Sequence, residues 1–275
     1  MTDCGITNLG SCLAEKLVEY LIYILNLPIT PLLDFIKILM TEPVNISIFS
    51  SVWAIIVYIL SMFYGLLLLV AGFRFMLSGY SVDQREKAKR ELRNVIIMMI
   101  LVQSSFFIYS LILDLSAGLT ASVFNLISPD FFLLTADSIG NVGLELLLLM
   151  PYVFVLVSTL IFLTIRYICV SLGVILFSIG IFFYFIGSLN SYGKLILNYL
   201  GVLIAVPFFY SIIFLASAKF LEVDTFANMK ISAMISAFGL ADLLTLFLIL
   251  FVIIKAANAV EKPVREIATI AAAFA

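Results

Sequence analysis

Apolar residues cover most of the chain in long runs, and short polar segments separate these runs. Most of the runs approach the length of about 20 residues that an α-helix needs to cross the hydrocarbon core of a bilayer. The pattern predicts spans at about residues 52–73, 94–115, 146–165, 169–186, 195–216 and 235–255. We therefore expect an all-α fold: a polytopic transmembrane helical bundle of about six spans plus an N-terminal amphipathic helix.

Residues 16–40 differ from the other apolar runs because charges and two prolines interrupt them. On a helix that turns by about 100° per residue, the polar residues fall on one narrow side. They are Lys16, Glu19, Asn26, Thr30, Asp34 and Lys37. This amphipathic pattern favours a helix that lies in the membrane interface. The alternative is a span whose polar side faces a water-filled path.

Composition supports the membrane assignment. Hydrophobic residues make up 64% of the 275 residues and charged residues 12%, whereas soluble domains carry about 25% charged residues. We expect three regions: residues 1–46 as a polar segment with the interfacial helix, residues 47–256 as the transmembrane bundle, and residues 257–275 as a C-terminal tail.

The one strongly charged stretch, residues 79–93, is predicted to form a helix, which we call the basic helix. Ser81 and Gln84 have the spacing of a capping box at its start. No glycine or proline separates it from the apolar residues 95–113, so one helix should continue from water into lipid. Its cations are Arg85, Lys87, Lys89, Arg90 and Arg93. The positive-inside rule puts them in the cytoplasm, where they either only set the topology or also bind a partner.

The loop at residues 131–145 contains acidic residues and neither lysine nor arginine. A loop without positive charge belongs on the outer side, which agrees with a cytoplasmic basic helix. The spans at residues 146–165 and 169–186 follow each other so closely that the turn between them is tight, or the second segment is re-entrant. Because Lys255, Lys262 and Arg265 then fall on the outer side, the side of the C-terminus stays open.

Three glycines recur at seven-residue spacing in and after the fourth predicted span: Gly173, Gly180 and Gly187. Small residues on one side of a helix let two backbones approach closely in lipid. We therefore expect this side of the helix to pack against a neighbour.

The sequence contains no motif of a nucleotide-binding, hydrolase or zinc enzyme, and it has no histidine. We therefore expect neither catalysis nor a cofactor. The charged residues Asp114, Arg166 and Asp242 are expected near span ends, where they would not mark an ion path. Cys4 and Cys12 would be able to form a disulfide if the N-terminal end is extracytoplasmic; otherwise they are free thiols.

Two blocks of sequence resemble membrane subunits of conjugation machines. Residues 73–80 and 84–90 resemble a pattern of those subunits in which a span, a short Ser-Gly-x-x turn and a Lys-x-Ala-Lys helix lead into the next span. Residues 171–215 resemble the core of TrbL-type channel subunits of type IV secretion systems, with Tyr192, Asn198, Tyr199 and Pro207 in the pattern. Size and span number are also similar to the CedA family of archaeal DNA-import systems. The bacterial pattern has a proline and arginines where Val174 and residues 187–194 stand, which favours the archaeal branch or no relation.

The resemblance implies a channel or scaffold component that conducts DNA across the cytoplasmic membrane. It implies several partners: membrane lipid, DNA as the transported substrate, a HerA-like or conjugation-type ATPase, small pilin-like subunits and further copies of the chain. Two alternatives are a small-molecule or ion transporter and the membrane platform of a pilus-like assembly. A transporter would carry a charged site midway through the membrane.

Overall fold

The computed structural model describes residues 9–77, 82–134, 142–187, 189–223 and 229–273. Within these ranges the regular structure is helical, and no strand occurs. The α-helices are α1 (Leu9–Thr41), α2 (Ser50–Leu77), α3 (Val82–Gln103), α4 (Ser105–Phe124), α5 (Val142–Phe185), α6 (Asn190–Leu221) and α7 (Lys230–Ala273). Short 3-10 turns occur at Ser47–Phe49 and Pro129–Phe131.

Six helical segments in the described part of the chain are long and apolar enough to cross a membrane. They are Ile22–Thr41, Ser47–Leu77, Ser105–Phe124, Leu147–Phe185, Asn190–Leu221 and Lys230–Lys255. The prediction of an all-α polytopic bundle is thereby confirmed.

The helix expected to lead from the basic stretch into apolar sequence is present as α3 followed by α4. The N–H of Ser104 donates to the carbonyl of Ile100, and the N–H of Ile108 donates to the carbonyl of Ser104, both at 3.0 Å. These bonds keep the i→i−4 pattern of an α-helix across the junction. The charged and apolar parts therefore belong to one almost continuous helix. The proposed capping residue Ser81 lies outside the described residues.

The expected boundary between a third and a fourth span is absent, because α5 runs from Val142 to Phe185 without a break. Its 44 residues extend for roughly 66 Å, about twice the thickness of the hydrocarbon core. The expectation was wrong because Arg166 was assumed to end a span at the membrane surface. Its side chain is instead buried in protein and hydrogen-bonded there, so the helix can continue through it.

Helix α1 continues through Pro28 and Pro31. Ile22, Ile29 and Ile36 are buried and lie at seven-residue spacing, which places them on one face. The second half of α1, Ile22–Thr41, meets the length and composition of a membrane span. This finding agrees with the alternative expectation for this helix, a membrane span, and not with a helix that lies in the interface.

The chain forms two compact units. The first unit comprises Met1–Glu42, Ala117–Ile165 and Val206–Leu246, and the second comprises Pro43–Ser116, Arg166–Ala205 and Phe247–Ala275. An aromatic cluster forms the core of the first unit, with the ring centroids of Phe214 and Phe238 4.6 Å apart and those of Phe132 and Phe214 5.7 Å apart. The second unit has two apolar cores, one around Tyr109 and Val174 and the other around Met98 and Phe182.

Candidate functional site

The cations of the basic helix lie on the first half of α3, and their side chains are exposed: Arg85, Lys87, Lys89, Arg90 and Arg93. Ala88 is the buried residue of this stretch. Within the described residues no ion pair engages these five cations. The five cations outnumber the three acids of the same stretch, Asp83, Glu86 and Glu91, so this part of α3 has a net positive charge.

An ion pair links α2 to the basic helix. Arg74 Nη1 donates to both carboxylate oxygens of Glu91, at 2.9 and 3.0 Å. Both side chains are about half exposed, and an exposed pair of this kind contributes little to stability. The pair connects the end of α2 to the middle of α3 and does not involve the five cations named above.

The three glycines proposed for helix packing have different surroundings. A methyl group added at Gly173 would lie 2.7 Å from Leu200 Cδ2 and also against the Tyr109 hydroxyl. At Gly180 the nearest atom would be Ile196 Cγ2 at 3.0 Å. Gly187 has open space around it. The first two positions therefore face a neighbouring helix closely, whereas Gly187 does not.

The tightest backbone approach involves Gly193, a position that the sequence pattern did not single out. An added methyl group there would lie 2.6 Å from the Cα of Tyr184 and 2.8 Å from the carbonyl oxygen of Gly180. Gly193 sits in the first turn of α6, directly after the short connection from α5. The seven-residue repeat falls on positions 173, 180 and 187, so Gly193 lies outside the pattern that predicts close helix packing.

The possible disulfide between Cys4 and Cys12 involves side chains outside the described residues. Cys12 belongs to the first turns of α1. Cys169 is a free thiol, partly buried on α5.

Arg166 lies well inside α5 and is 7% exposed. Its Nε donates to the carbonyl of Leu203 at 2.8 Å, and its Nη2 donates to the carbonyl of Ile204 at 3.3 Å. Both carbonyls belong to α6. A buried guanidinium is costly unless its N–H groups are hydrogen-bonded, and here backbone oxygens accept from them.

Asp242 is the second charged residue buried inside a helical segment, and it is 7% exposed. Thr159 Oγ1 donates to its Oδ1 at 2.9 Å, and the Tyr210 hydroxyl donates to the same oxygen at 3.2 Å. The Tyr210 and Thr245 hydroxyls are 2.8 Å apart. We call these four residues the Asp242 cluster. It joins α5, α6 and α7 within the first unit.

Along the apolar helical segments, the three charged residues lie near the middle and not near the ends, where they were expected. Asp242 lies at the middle of Lys230–Lys255, and Asp114 lies at the middle of Ser105–Phe124, where its side chain is exposed. Arg166 is midway along Leu147–Phe185. The error came from the assumed span boundaries: the apolar segments begin or end elsewhere than the hydrophobic runs indicated.

A cavity of about 260 Å³ opens in the first unit. Its polar wall includes Asp34, Lys37 and Asn125, and its apolar wall includes Phe214 and Phe238. Its size suits a small ligand or a group of waters.

No known protein family, characterised protein or solved structure matches the chain.

Proposed function

We propose that this protein is the channel or scaffold subunit of a DNA-transfer apparatus in the cytoplasmic membrane, and that a partner ATPase supplies the energy. The observation that carries the proposal is the exposed basic helix, which continues directly into an apolar segment and whose five cations form no ion pair with any residue that the structure describes. Phosphates bind such a surface by charge and counterion release. The resemblance to TrbL-type and CedA-like subunits points to the same function.

Two exposed polar residues, Gln103 and Asp114, support the assembly of several copies of this protein into one complex. Both side chains are exposed, and their neighbours along the nearly continuous helix α3–α4 are mostly apolar. At about 100° per residue, both fall on the side of this helix that also carries Arg85, Lys89 and Arg93. Charged residues inside a membrane almost always face a protein interior or water. We therefore infer that this side of α3 and α4 faces other copies or an aqueous path, with small pilin-like subunits as additional neighbours.

The continuous α5 supports one topology for this proposal. If each of the six apolar segments crosses once, the C-terminus shares the cytoplasmic side with the basic helix. That side then holds Lys16, Arg74, Arg85, Lys87, Lys89, Arg90, Arg93, Lys194, Lys255, Lys262 and Arg265. Lys37, Lys219 and Lys230 fall on the other side. This distribution follows the positive-inside rule better than a count with two crossings in α5.

The test uses the protein in bilayer nanodiscs of neutral lipid, with single- and double-stranded oligonucleotides as probes. We expect binding that weakens steeply with salt, and an affinity at least about tenfold lower after reversal of Arg85, Lys87, Lys89 and Arg90 to Glu. The matched control is Arg74→Glu combined with Glu91→Arg, which inverts the α2–α3 ion pair and leaves the net charge unchanged. Equal affinity of the reversed and control variants would exclude a DNA-contact role for the basic helix.

The cellular test is deletion of the gene followed by a DNA-exchange assay in the source organism. Exchange should be lost and should return with the wild-type gene but not with the charge-reversed one. Undiminished exchange in the deletion strain would refute the proposal.

An ion or small-molecule transporter is the second candidate, because charged residues do lie midway along apolar segments. Asp242 and Arg166 are both buried there, and intramembrane charges of this kind mark ion and proton paths in transporters. Purified protein in sealed vesicles distinguishes the candidates: a transporter dissipates an imposed ion gradient without a partner ATPase or DNA, whereas a subunit that works only with its partners leaves the gradient intact.

A further inference from the structure

The Asp242 cluster buries a carboxyl group among hydroxyl groups. Thr159 and Tyr210 both donate to Oδ1, and Thr245 in turn contacts Tyr210. Thr245 Oγ1 also donates to the carbonyl of Ala241 at 3.2 Å, one turn back on α7. The Oδ1 atom of Asp242 therefore lies between Thr159 on one side and Tyr210, followed by Thr245, on the other.

No cationic side chain among the described residues pairs with Asp242. On the three helices that build the cluster, Tyr210 is the titratable group in contact with it. Lys219 on α6 pairs with Glu222 instead. A buried carboxylate without a cation is costly, and such groups commonly become neutral by binding a proton. The two donors stabilise the ionised form, so both protonation states of Asp242 have a hydrogen-bonding arrangement available.

The cluster suits a proton better than a metal ion. A hard cation such as Ca²⁺ requires about six to eight oxygen ligands at about 2.3–2.6 Å. The cluster offers one carboxylate and three hydroxyls, and these oxygens contact each other directly at 2.8 to 3.2 Å. The cluster therefore offers fewer oxygen ligands than such a cation requires.

Two aromatic residues of the cavity wall lie on the same helices as the cluster. Phe214 and Phe238 line this cavity. On α6 and α7 these two rings lie one turn before or after Tyr210 and Asp242, because positions four apart share a helix face. Asp34 and Lys37 on α1 are exposed residues of the cavity wall. Phe214 and Phe238 thus connect the wall of the cavity with the helical turns that carry Tyr210 and Asp242.

We propose that Asp242 is a reversible proton-binding site, reached from the cavity of the first unit and held by Thr159 and Tyr210. The proton adds to the carboxylate to give the neutral acid and leaves by the reverse step. The proposal deepens the transporter candidate by naming its ion, and it also applies to a DNA conduit whose gating responds to protons.

Infrared difference spectroscopy of the wild-type protein in lipid vesicles tests the site, because a protonated carboxyl group has its own carbonyl band. We expect a band that disappears as the pH rises and that is missing in Asp242→Asn. It should persist in Asp83→Asn, which alters an exposed aspartate of α3. Replacing NaCl by choline chloride should not change the titration.

A titrating carbonyl band that is the same in wild type and Asp242→Asn overturns the proposal, and so does a titration that Na⁺ displaces. If Asp242→Asn does not fold, Tyr210→Phe and Thr159→Val assign the band instead. Each removes one donor to the carboxylate, so each must move the midpoint of the titration, and unmoved midpoints in both overturn the proposal. The gradient assay of the second candidate is a separate measurement: a band that titrates without ion flux supports the site and rejects the transporter.

Discussion

Arg166 donates from Nε to the carbonyl of Leu203 at 2.8 Å, and this is the carbonyl that Pro207 deprives of its intrahelical donor. Proline lacks an N–H, so the bond from position 207 to position 203 is missing in α6. The next carbonyl, that of Ile204, accepts from Arg166 Nη2 and from Ser116 Oγ, the latter at 2.9 Å. Arg166 of α5 thus supplies the hydrogen-bond donor that Pro207 removes from α6. The Leu203 and Ile204 carbonyls in turn accept hydrogen bonds from the buried guanidinium.

Arg166→Met should therefore lower the free energy of unfolding, and the size of this loss should depend on the residue at position 207. The substitution leaves the Leu203 carbonyl buried without a donor, and we expect a loss of about 1–3 kcal/mol in the free energy of unfolding. In a Pro207→Ala background the new N–H can donate to Leu203 along the helix, so the same substitution should cost less. Denaturant unfolding in detergent micelles measures the four proteins of this double-mutant cycle.

Additive effects of the two substitutions would contradict this account, since the arginine would then not compensate for the proline. Arg166→Lys is the matched charge control. A lysine retains a donor but loses the geometry of the guanidinium fork, so it should fall between wild type and Arg166→Met.

The fold class could be predicted from sequence because it depends on the length and polarity of the apolar runs, and these are local properties. The continuation of α5 beyond Ile165 could not be predicted in this way. A charged residue in an apolar run normally indicates a membrane surface, and the local sequence does not reveal that Leu203 and Ile204, thirty-seven and thirty-eight residues away, supply oxygens for Arg166.

The two candidate sites also differ in how far the sequence predicts them. The basic helix was recognisable because charge density is visible in the sequence. The Asp242 cluster was not, since Thr159, Tyr210 and Asp242 come from three helices. Pro207 is the sequence signal for the Arg166 contact, because a proline in a buried helix leaves a carbonyl that requires a donor, and Arg166 supplies it.

Alanine substitutions at the glycines should separate close backbone contacts from open positions. Gly193→Ala should destabilise the protein most, because the added methyl group meets backbone atoms of Tyr184 and Gly180 that cannot rotate away. We expect a cost of about 1–3 kcal/mol or more from such overpacking. Gly187→Ala, with open space around it, is the matched control and should leave the thermal midpoint within experimental error of wild type. Equal midpoints for the two variants would show that α5 and α6 do not approach at Gly193.

Ser105→Ala should alter the fluorescence of Trp53, the single tryptophan of the chain. Trp53 Nε1 donates to Ser105 Oγ at 2.9 Å, and Ser105 Oγ also lies 2.7 Å from Ser178 Oγ. Loss of the acceptor leaves the indole N–H without its partner, so the emission should move to shorter wavelength. Interhelical bonds of this kind contribute about 0.6–2 kcal/mol in membrane proteins. Ser61→Ala, which removes a hydroxyl bonded only within α2, should change neither emission nor stability.

Single cysteines can decide whether α5 crosses the membrane once. In a background without Cys4, Cys12 and Cys169, cysteine replaces Lys87 in the basic helix, Lys194 at the start of α6 or Glu222 after its end. A single crossing predicts that a membrane-impermeant maleimide labels positions 87 and 194 from the same side and position 222 from the opposite side. Two crossings within Leu147–Phe185 would reverse positions 194 and 222. The measurement compares intact right-side-out and inverted vesicles, with permeabilised vesicles as the control for reactivity. Labelling of positions 87 and 222 from the same side would refute the single crossing and would show that a turn interrupts α5.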